Sequence, residues 1–523
     1  MADIGAEAGQ DTETFVSWRE FLASPYAASL ALVCTAVWLH AADSLIVATM
    51  LPSIVAGIGG VALVGWSVSL YEIGSIVAGA ASALLTMRFG LRAPMSMAAA
   101  LFGFGCILSA VSPTMPLLLT GRALQGLAGG GLVAMGFVAV GMIFPRRYIA
   151  RAMAAVSTLW GVSAFAGPLV GGFFVEYATW RWGFAFFAAQ AFALALWIVL
   201  RSSADAKATA DAAEFPVRRL SLLCLSVVLV AFGGVEVSIA RTVPSVAAGL
   251  VCLVGFLWLD ERAGNTRLLP RRPFDPSRLA GAALLMILSM SMATIAVTAF
   301  GPLLVTAIHG VSALTAGYIV ACSSIGWTVM AVLVSGMPER HDRRMIALGM
   351  TVVALSILGF LHAVPNGPVW LIAVFAAMEG GGFGIAWTFI LRRTMAVADA
   401  GEVQRVSGAI PTIQRLGYAL GAAYVGIVAN ASGLLSIETA ADAAKVARWV
   451  FASCVPFAAI GLIAMSLLVR DRRDINQDEW LRPPRQQHLP REPVETVDMH
   501  VDPRLSISPC RRNRIVDPMT TSC

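Results

Sequence analysis

The sequence predicts an all-α membrane protein of about fourteen transmembrane helices, and three observations carry that expectation. Of 523 residues, 58% are hydrophobic and only 13% are charged, about half the charged share of a soluble domain. Apolar runs of about 20 residues, the length that crosses a bilayer, recur along the chain. Basic residues gather in alternate loops between those runs, the pattern of a polytopic protein.

The runs lie near 28–54, 64–86, 94–112, 115–143, 150–176 and 183–200, then 220–238 and 243–259, then 279–307, 313–336, 345–363, 368–391, 405–430 and 449–469. Residues 1–27 are acidic and polar without a basic n-region, so a cytoplasmic segment and no cleaved signal peptide are expected. Residues 28–200 and 279–470 each hold six spans and read as two bundles. The segment 201–278 between them holds two extra runs with basic flanks on both sides, which reads as an inserted transmembrane hairpin. An apolar cytoplasmic loop is the alternative, and it leaves two apolar runs in water. The tail 471–523, rich in Arg, Pro, Asp and Gln, is expected to be disordered and cytoplasmic.

With the N-terminus inside, about twenty basic residues fall in cytoplasmic loops against four (Arg181, Arg241, Lys445, Arg448) outside. That bias is expected to put both termini on the cytoplasmic side of the membrane. It also accounts for the net charge of +6 without a nucleic-acid partner. Lys207 and Lys445 are the two lysines, so no Gly-Lys-Ser/Thr phosphate loop exists, and neither HExxH nor GxSxG occurs. The eight cysteines show no CxxC or Cys/His spacing. An enzyme, a metal site and a bound cofactor are therefore not expected. Energy for uphill transport has to come from an ion gradient or from a partner such as an accessory export protein.

Charged residues inside apolar runs are expensive, at least about 2.5 kcal/mol each on insertion scales, and face a cavity or a partner. Asp43 (span 1), Glu72 (span 2), Arg122 (span 4), Glu379 (span 12) and Arg415 (span 13) form this set. At about 1.5 Å per residue, Asp43, Glu72 and Arg122 lie about 16, 12 and 10 Å from the outer ends of their spans, so they can meet in one pocket of the first bundle. Glu379 and Arg415 fall near the midplane of the second bundle, where they can pair. Two carboxylates beside an arginine suit proton coupling, since burial and a neighbouring cation act oppositely on a carboxyl group. A permanent salt bridge tying helices together is the alternative. Trp38, Trp66, Tyr71, Trp160, Phe165, Trp327, Trp387 and Tyr418 offer stacking surface for a flat cation or ordinary packing.

Span 5 carries AFAGPLVGG (Ala164 to Gly172), helix breakers in the middle of a spanning helix. Close helix packing and a hinge or cavity wall both fit it.

Four motifs in register resemble the fourteen-span drug:proton antiporters of the major facilitator superfamily. WLHAADSLIVATMLPSI (Trp38 to Ile54) is similar to their span 1 signature, matching at Asp43, Leu51 and Pro52. LLLTGRALQGLAGG (Leu117 to Gly130) is similar to the span 4 motif at Arg122, Gln125 and Gly126. AFAGPLVGG with Gly161 resembles the span 5 antiporter motif at Gly167, Pro168, Gly171 and Gly172, and TWRWGFAFF (Thr179 to Phe187) the start of span 6. The resemblance covers about residues 28 to 470. It implies the major facilitator fold, two six-helix bundles plus an inserted two-helix hairpin, working by alternating access, with export driven by proton entry. It also implies that the span 5 Gly/Pro cluster shapes the contact that closes one side of the cavity. In the loop after span 2, Arg88, Gly90 and Arg92 match the family's gate, but Met87 stands where the acid is usual and Ala83 where the first Gly is. This implies a weaker or differently built cytoplasmic lock. Glu72 is a further departure, one that suits a cationic substrate or a second proton.

The expected function is proton-coupled export of amphipathic or cationic small molecules, with Asp43 and Glu72 in proton coupling. Arg122, Gln125, Glu379 and Arg415 are expected as electrostatic or substrate partners. The alternatives are an exporter or proton-coupled importer of one endogenous metabolite, and a non-transporting membrane sensor.

Overall fold

Fifteen α-helices account for nearly all of the described chain in the computed structural model, which describes residues 18–201, 216–335, 337–397 and 402–470; no strand occurs among them. A short α1 (Trp18–Ala23) precedes α2 (Ala27–Ile58), α3 (Val64–Phe89), α4 (Arg92–Ala110), α5 (Met115–Ile143), α6 (Arg146–Tyr177) and α7 (Trp180–Arg201). Then come α8 (Val217–Phe232) and α9 (Ile239–Arg262), followed by α10 (Leu279–His309), α11 (Ala313–Val334), α12 (Asp342–Asn366), α13 (Val369–Val397), α14 (Val403–Ala431) and α15 (Ala440–Arg470). The helices α2 to α15 answer in order to the fourteen apolar runs. Twelve of them are long and apolar enough to cross a membrane by length and composition; α8, with 16 residues, and α14, which carries Arg405 and Arg415, are not among the twelve. The second extra run was expected to begin near residue 243, but α8 stops at Phe232 because Gly233 and Gly234 turn the chain, and α9 starts at Ile239.

Two bundles repeat one packing scheme. In α2–α7, α3 and α4 pack on α5, α4 on α7, and α2 on α6 and α5; in α10–α15, α11 and α12 pack on α13, α12 on α15, and α10 on α15 and α14. Apolar side chains fill the interior of each, Phe102, Phe184 and Phe187 in the first and Phe360, Phe389 and Phe451 in the second. The bundles meet along two seams, α3 with α14 and α6 with α11.

The α3–α14 seam is antiparallel and steps in register from Gly65, whose added Cβ would lie 2.7 Å from the Ala422 carbonyl oxygen, to Ser69, which donates to the Ala419 carbonyl at 2.9 Å, to Glu72 and Arg415. About two turns further along, Gly79 and Gly408 come next in that register. Both are exposed, and a Cβ on either would meet no atom of the described residues within 4 Å. The two helices therefore touch from the arginine-poor end to the charged pair and part towards the arginine-rich end. The α6–α11 seam closes at the same end, where a Cβ on Gly172 would stand 2.8 Å from Leu314 Cβ.

The α8–α9 hairpin lies over the α3–α14 seam. Trp66 Nε1 donates to the Ala231 carbonyl at 3.2 Å, and Asn430 Nδ2 donates to both Ala62 and Gly234 carbonyls at 3.0 and 2.7 Å. At the opposite end Asp260 accepts from Arg219 at 2.7 Å and from the backbone N–H groups of Leu268 and Leu269 at 2.9 Å, and Arg267 pairs with Glu402 at 2.8 Å.

In the loop after α3, Gly90 takes φ 75°, a conformation that disfavours any side chain, and Arg92 donates to the Val199 carbonyl while Arg88 lies 5.5 Å from the Phe89 ring. The side chains of Met87 and Ala83, Lys207, the segment 1–17 and the tail 471–523 with Cys510 and Cys523 lie outside the described residues.

Candidate functional site

Small residues bring the charges together. On α5, Gly126 and Gly130 press against α3: an added Cβ would lie 2.1 Å from the Tyr71 carbonyl oxygen at Gly126 and 2.4 Å from Ser75 Cα at Gly130. One turn before Gly126 this contact places Arg122 over the Tyr71 ring, 4.3 Å from its centroid. Arg122 Nη1 donates to Asp43 Oδ2 on α2 and, at 2.6 Å, to Gln125 Oε1 on its own helix. Gln125 Nε2 in turn points at Cys106 Sγ on α4, 3.2 Å away. Asp43 and Arg122 are buried, and Arg122 Nε has no hydrogen-bond partner among the described residues.

Arg415 belongs to a different pair from the one expected. Its Nη1 donates to Glu72 Oε2 of the first bundle at 3.0 Å. The reason is packing: α14 lies against α3, whereas α13, which carries Glu379, packs on α11 and α12. Glu379 stays buried, with Oε2 unpartnered among the described residues. Asp43, Glu72 and Arg122 do converge, but through intermediaries rather than as one triad. Arg415 Nη2 also meets His40 Nε2 at 3.1 Å, His40 Nδ1 meets the Tyr71 hydroxyl at 2.8 Å, and that hydroxyl donates to the His40 carbonyl at 3.1 Å. His40 was not among the expected residues. Its signal is present in WLHAAD, a polar ring three residues before Asp43 and so on the same helix face.

The span 5 glycines divide between two partners. Gly167 and Gly171 sit against α2 of their own bundle, their added Cβ atoms 2.9 Å from Leu45 Cβ and 3.1 Å from the Ile46 carbonyl oxygen. Gly161 and Gly172 face α11, near Thr328 and Leu314. Pro168 is buried inside α6, where its missing N–H leaves a helical carbonyl without its donor. The cluster therefore packs within one bundle and between the two.

The site is thus a charge cluster on the α3–α14 seam, one pair within a bundle and one across the bundles, at the level where the helices begin to part. Such a cluster can exchange protons, hold a cation, or break when the seam opens. Trp327, 5.4 Å from both Phe383 and Trp387, adds an aromatic surface in the second bundle.

The family model of the Major Facilitator Superfamily matches residues 33–422 and 279–508. A protein of Mycobacterium tuberculosis (strain ATCC 25618 / H37Rv) named "Probable multidrug-efflux transporter" is 30% identical over 486 residues, covering 90% of this chain and 99% of that protein. An uncharacterized MFS-type transporter of the same strain is 25% identical over 378 residues, 70% of this chain and 54% of the relative. Among solved structures, a POT family transporter in complex with 5-aminolevulinic acid superposes with a TM-score of 0.62 at 14% identity, over 87% of this chain and 99% of that one. A D-xylose-proton symporter gives 0.59 at 14% identity, over 85% and 97%. These last two show the shared fold.

Proposed function

Because the chain belongs to the Major Facilitator Superfamily, we propose that this transporter exports amphipathic or cationic small molecules in exchange for protons, as a member of the fourteen-span drug:proton antiporter branch. The observation that carries the reading is the cluster in which Arg122 holds Asp43 inside one bundle and Arg415 holds Glu72 across both. A buried ion pair is weak support for stability, because desolvation consumes several kcal/mol of its attraction. A buried pair, Asp43 and Arg122, beside a half-buried pair, Glu72 and Arg415, on a seam that parts beyond them is better explained by a task. A proton on Asp43 cancels its charge and releases Arg122. The same event on Glu72 loosens the seam, and a cationic substrate competes for the vacated carboxylates. The efflux name of the relative supports the direction of transport.

In this reading the arginine-rich end faces the cytoplasm of a bacterial inner membrane, with both termini on that side. Gly161 and Gly172 carry the α6–α11 contact that opens and closes, and Gly167, Pro168 and Gly171 fit α6 to α2. Arg88, Gly90 and Arg92 form the cytoplasmic gate loop. Accessory export proteins are potential partners, and the proton gradient takes the place of a cofactor.

The test is proton movement in everted membrane vesicles, followed with a pH-gradient dye while lipophilic cations, neutral drugs and amino acids are added. Several unrelated cations should collapse the gradient with the wild type and none with Asp43→Asn. Transport by the reconstituted protein that ignores an imposed pH gradient would overturn the proposal, and a response confined to one metabolite would assign a specific carrier instead.

A further inference from the structure

His40 lies between the two ion pairs, 3% exposed, and its hydrogen bonds fix its charge state. A guanidinium can only donate, so the contact from Arg415 Nη2 requires a bare lone pair on His40 Nε2. The ring proton then sits on Nδ1 and is donated to the Tyr71 hydroxyl, whose own proton goes to the His40 carbonyl. Every group in this chain is satisfied when the imidazole is neutral, and a second ring proton, on Nε2, removes the acceptor for Arg415 while leaving both Tyr71 hydrogen bonds in place. The charged and titratable groups around the ring are Tyr71 and Glu72 on α3, Arg122 on α5, Arg415 on α14 and Asp43 on its own helix, while α6 supplies the uncharged edge of Trp160 at 6.1 Å. Gly129 of α5 makes the room, since a Cβ there would stand 2.8 Å from Nδ1.

We propose that His40 is a proton-binding residue that licenses closure of the arginine-poor end: Arg415 reaches its seat beside Glu72 only while His40 Nε2 is free to accept from it. With a proton on Nε2 the lone pair is gone and two cations face each other across the seam, so the α3–α14 contact is disfavoured. A proton that enters from the arginine-poor side and stops on His40 therefore has to leave the ring before that end closes. His40 acts through Arg415, as a positioning residue for the conformational step. The inference rests on the seam being the moving contact of an alternating-access transporter, as read above.

The experiment is a distance measurement between spin labels carried by non-cysteine unnatural residues at Val111 and Leu435, in the full chain in lipid nanodiscs. Both positions are exposed at the arginine-poor end, one in each bundle. The pH is varied between about 4 and 8, which spans the range of an ordinary imidazole and the range below it. The wild type should shift from the short to the long distance as the pH falls. His40→Gln, a neutral acceptor, should lose that shift and stay short, and His40→Arg, a permanent cation, should stay long at every pH. A purely structural role for His40 would weaken both variants without sending them in opposite directions. A wild-type pH response in His40→Gln, or a short distance in His40→Arg at high pH, would overturn the proposal. Because no substrate flux is read, intact proton-driven transport with a pH-indifferent distance would remove the His40 assignment alone. A His40-dependent distance shift without proton-coupled transport would remove the antiport reading alone.

Discussion

Arg122 makes three different interactions with one planar group: charge-assisted hydrogen bonds to Asp43 and Gln125, and a face laid on Tyr71. An ammonium group cannot reproduce the planar stack. Arg122→Lys is therefore expected to impair transport almost as much as Arg122→Gln. Removing one partner of a buried pair leaves the other uncompensated, at about 3–5 kcal/mol, whereas removing both can be nearly neutral. Thermal unfolding in detergent should show Arg122→Gln clearly less stable than the wild type, with the double variant Asp43→Asn/Arg122→Gln recovering much of the loss. An additive double variant would mean that the two side chains do not interact. The Asp43–Arg122 contact was legible in the sequence because each is a charge inside an apolar run at similar depth. Arg415 with Glu72, and His40 between the pairs, were not. Which face of α14 meets which face of α3 depends on how two bundles dock, and no single helix period encodes that.

Helices reach these positions because particular glycines let backbones touch. Along α3 and α5 the close approaches are made by Gly74, Gly126 and Gly130, where an added Cβ would lie 2.1 to 2.5 Å from backbone atoms of the facing helix. This is the small-residue packing that replaces a hydrophobic drive between helices in lipid. Backbone cannot swing aside as a side chain can. Gly126→Ala should therefore force α5 away from α3, costing about 1–3 kcal/mol as overpacking does and moving Arg122 off Tyr71. Gly136→Ala on the same helix would meet only Val33 and Val37 side chains at 3.6 to 3.7 Å, an ordinary contact. Melting temperatures and transport of the two variants should separate clearly, and equal behaviour would refute the packing argument. Most helix positions were legible from apolar run length to within several residues, although α15 starts at Ala440, nine residues before the run expected near 449. The length of α8 was not, since the Gly233–Gly234 turn sits inside what reads as one apolar stretch.

Across the whole molecule, the α3–α14 seam divides into a closed half and a parted half. From Gly65 to Glu72 on α3, each turn has a partner on α14; at Gly79 and Gly408 the register continues, but among the described residues the contact does not. A rocking motion about the charge cluster would exchange the two halves, bringing Gly79 against Gly408 and separating Ser69 from Ala419. Absence of side chains at both 79 and 408 is what such an approach requires, as it is at Gly65 on the closed side. Labelling tests this directly. In everted vesicles, a membrane-impermeant maleimide should modify Gly79→Cys readily in the state described here and leave Ser69→Cys, buried on the seam, untouched. In right-side-out vesicles driven towards the opposite state, Ser69→Cys should become reactive, and bulky Gly79→Trp should block that change while leaving the present state intact. A Gly79→Cys thiol that stays unreactive from both sides would mean that the gap between α3 and α14 does not admit water. The rocking account would then have to be abandoned in favour of a seam that loosens only locally around Glu72 and Arg415.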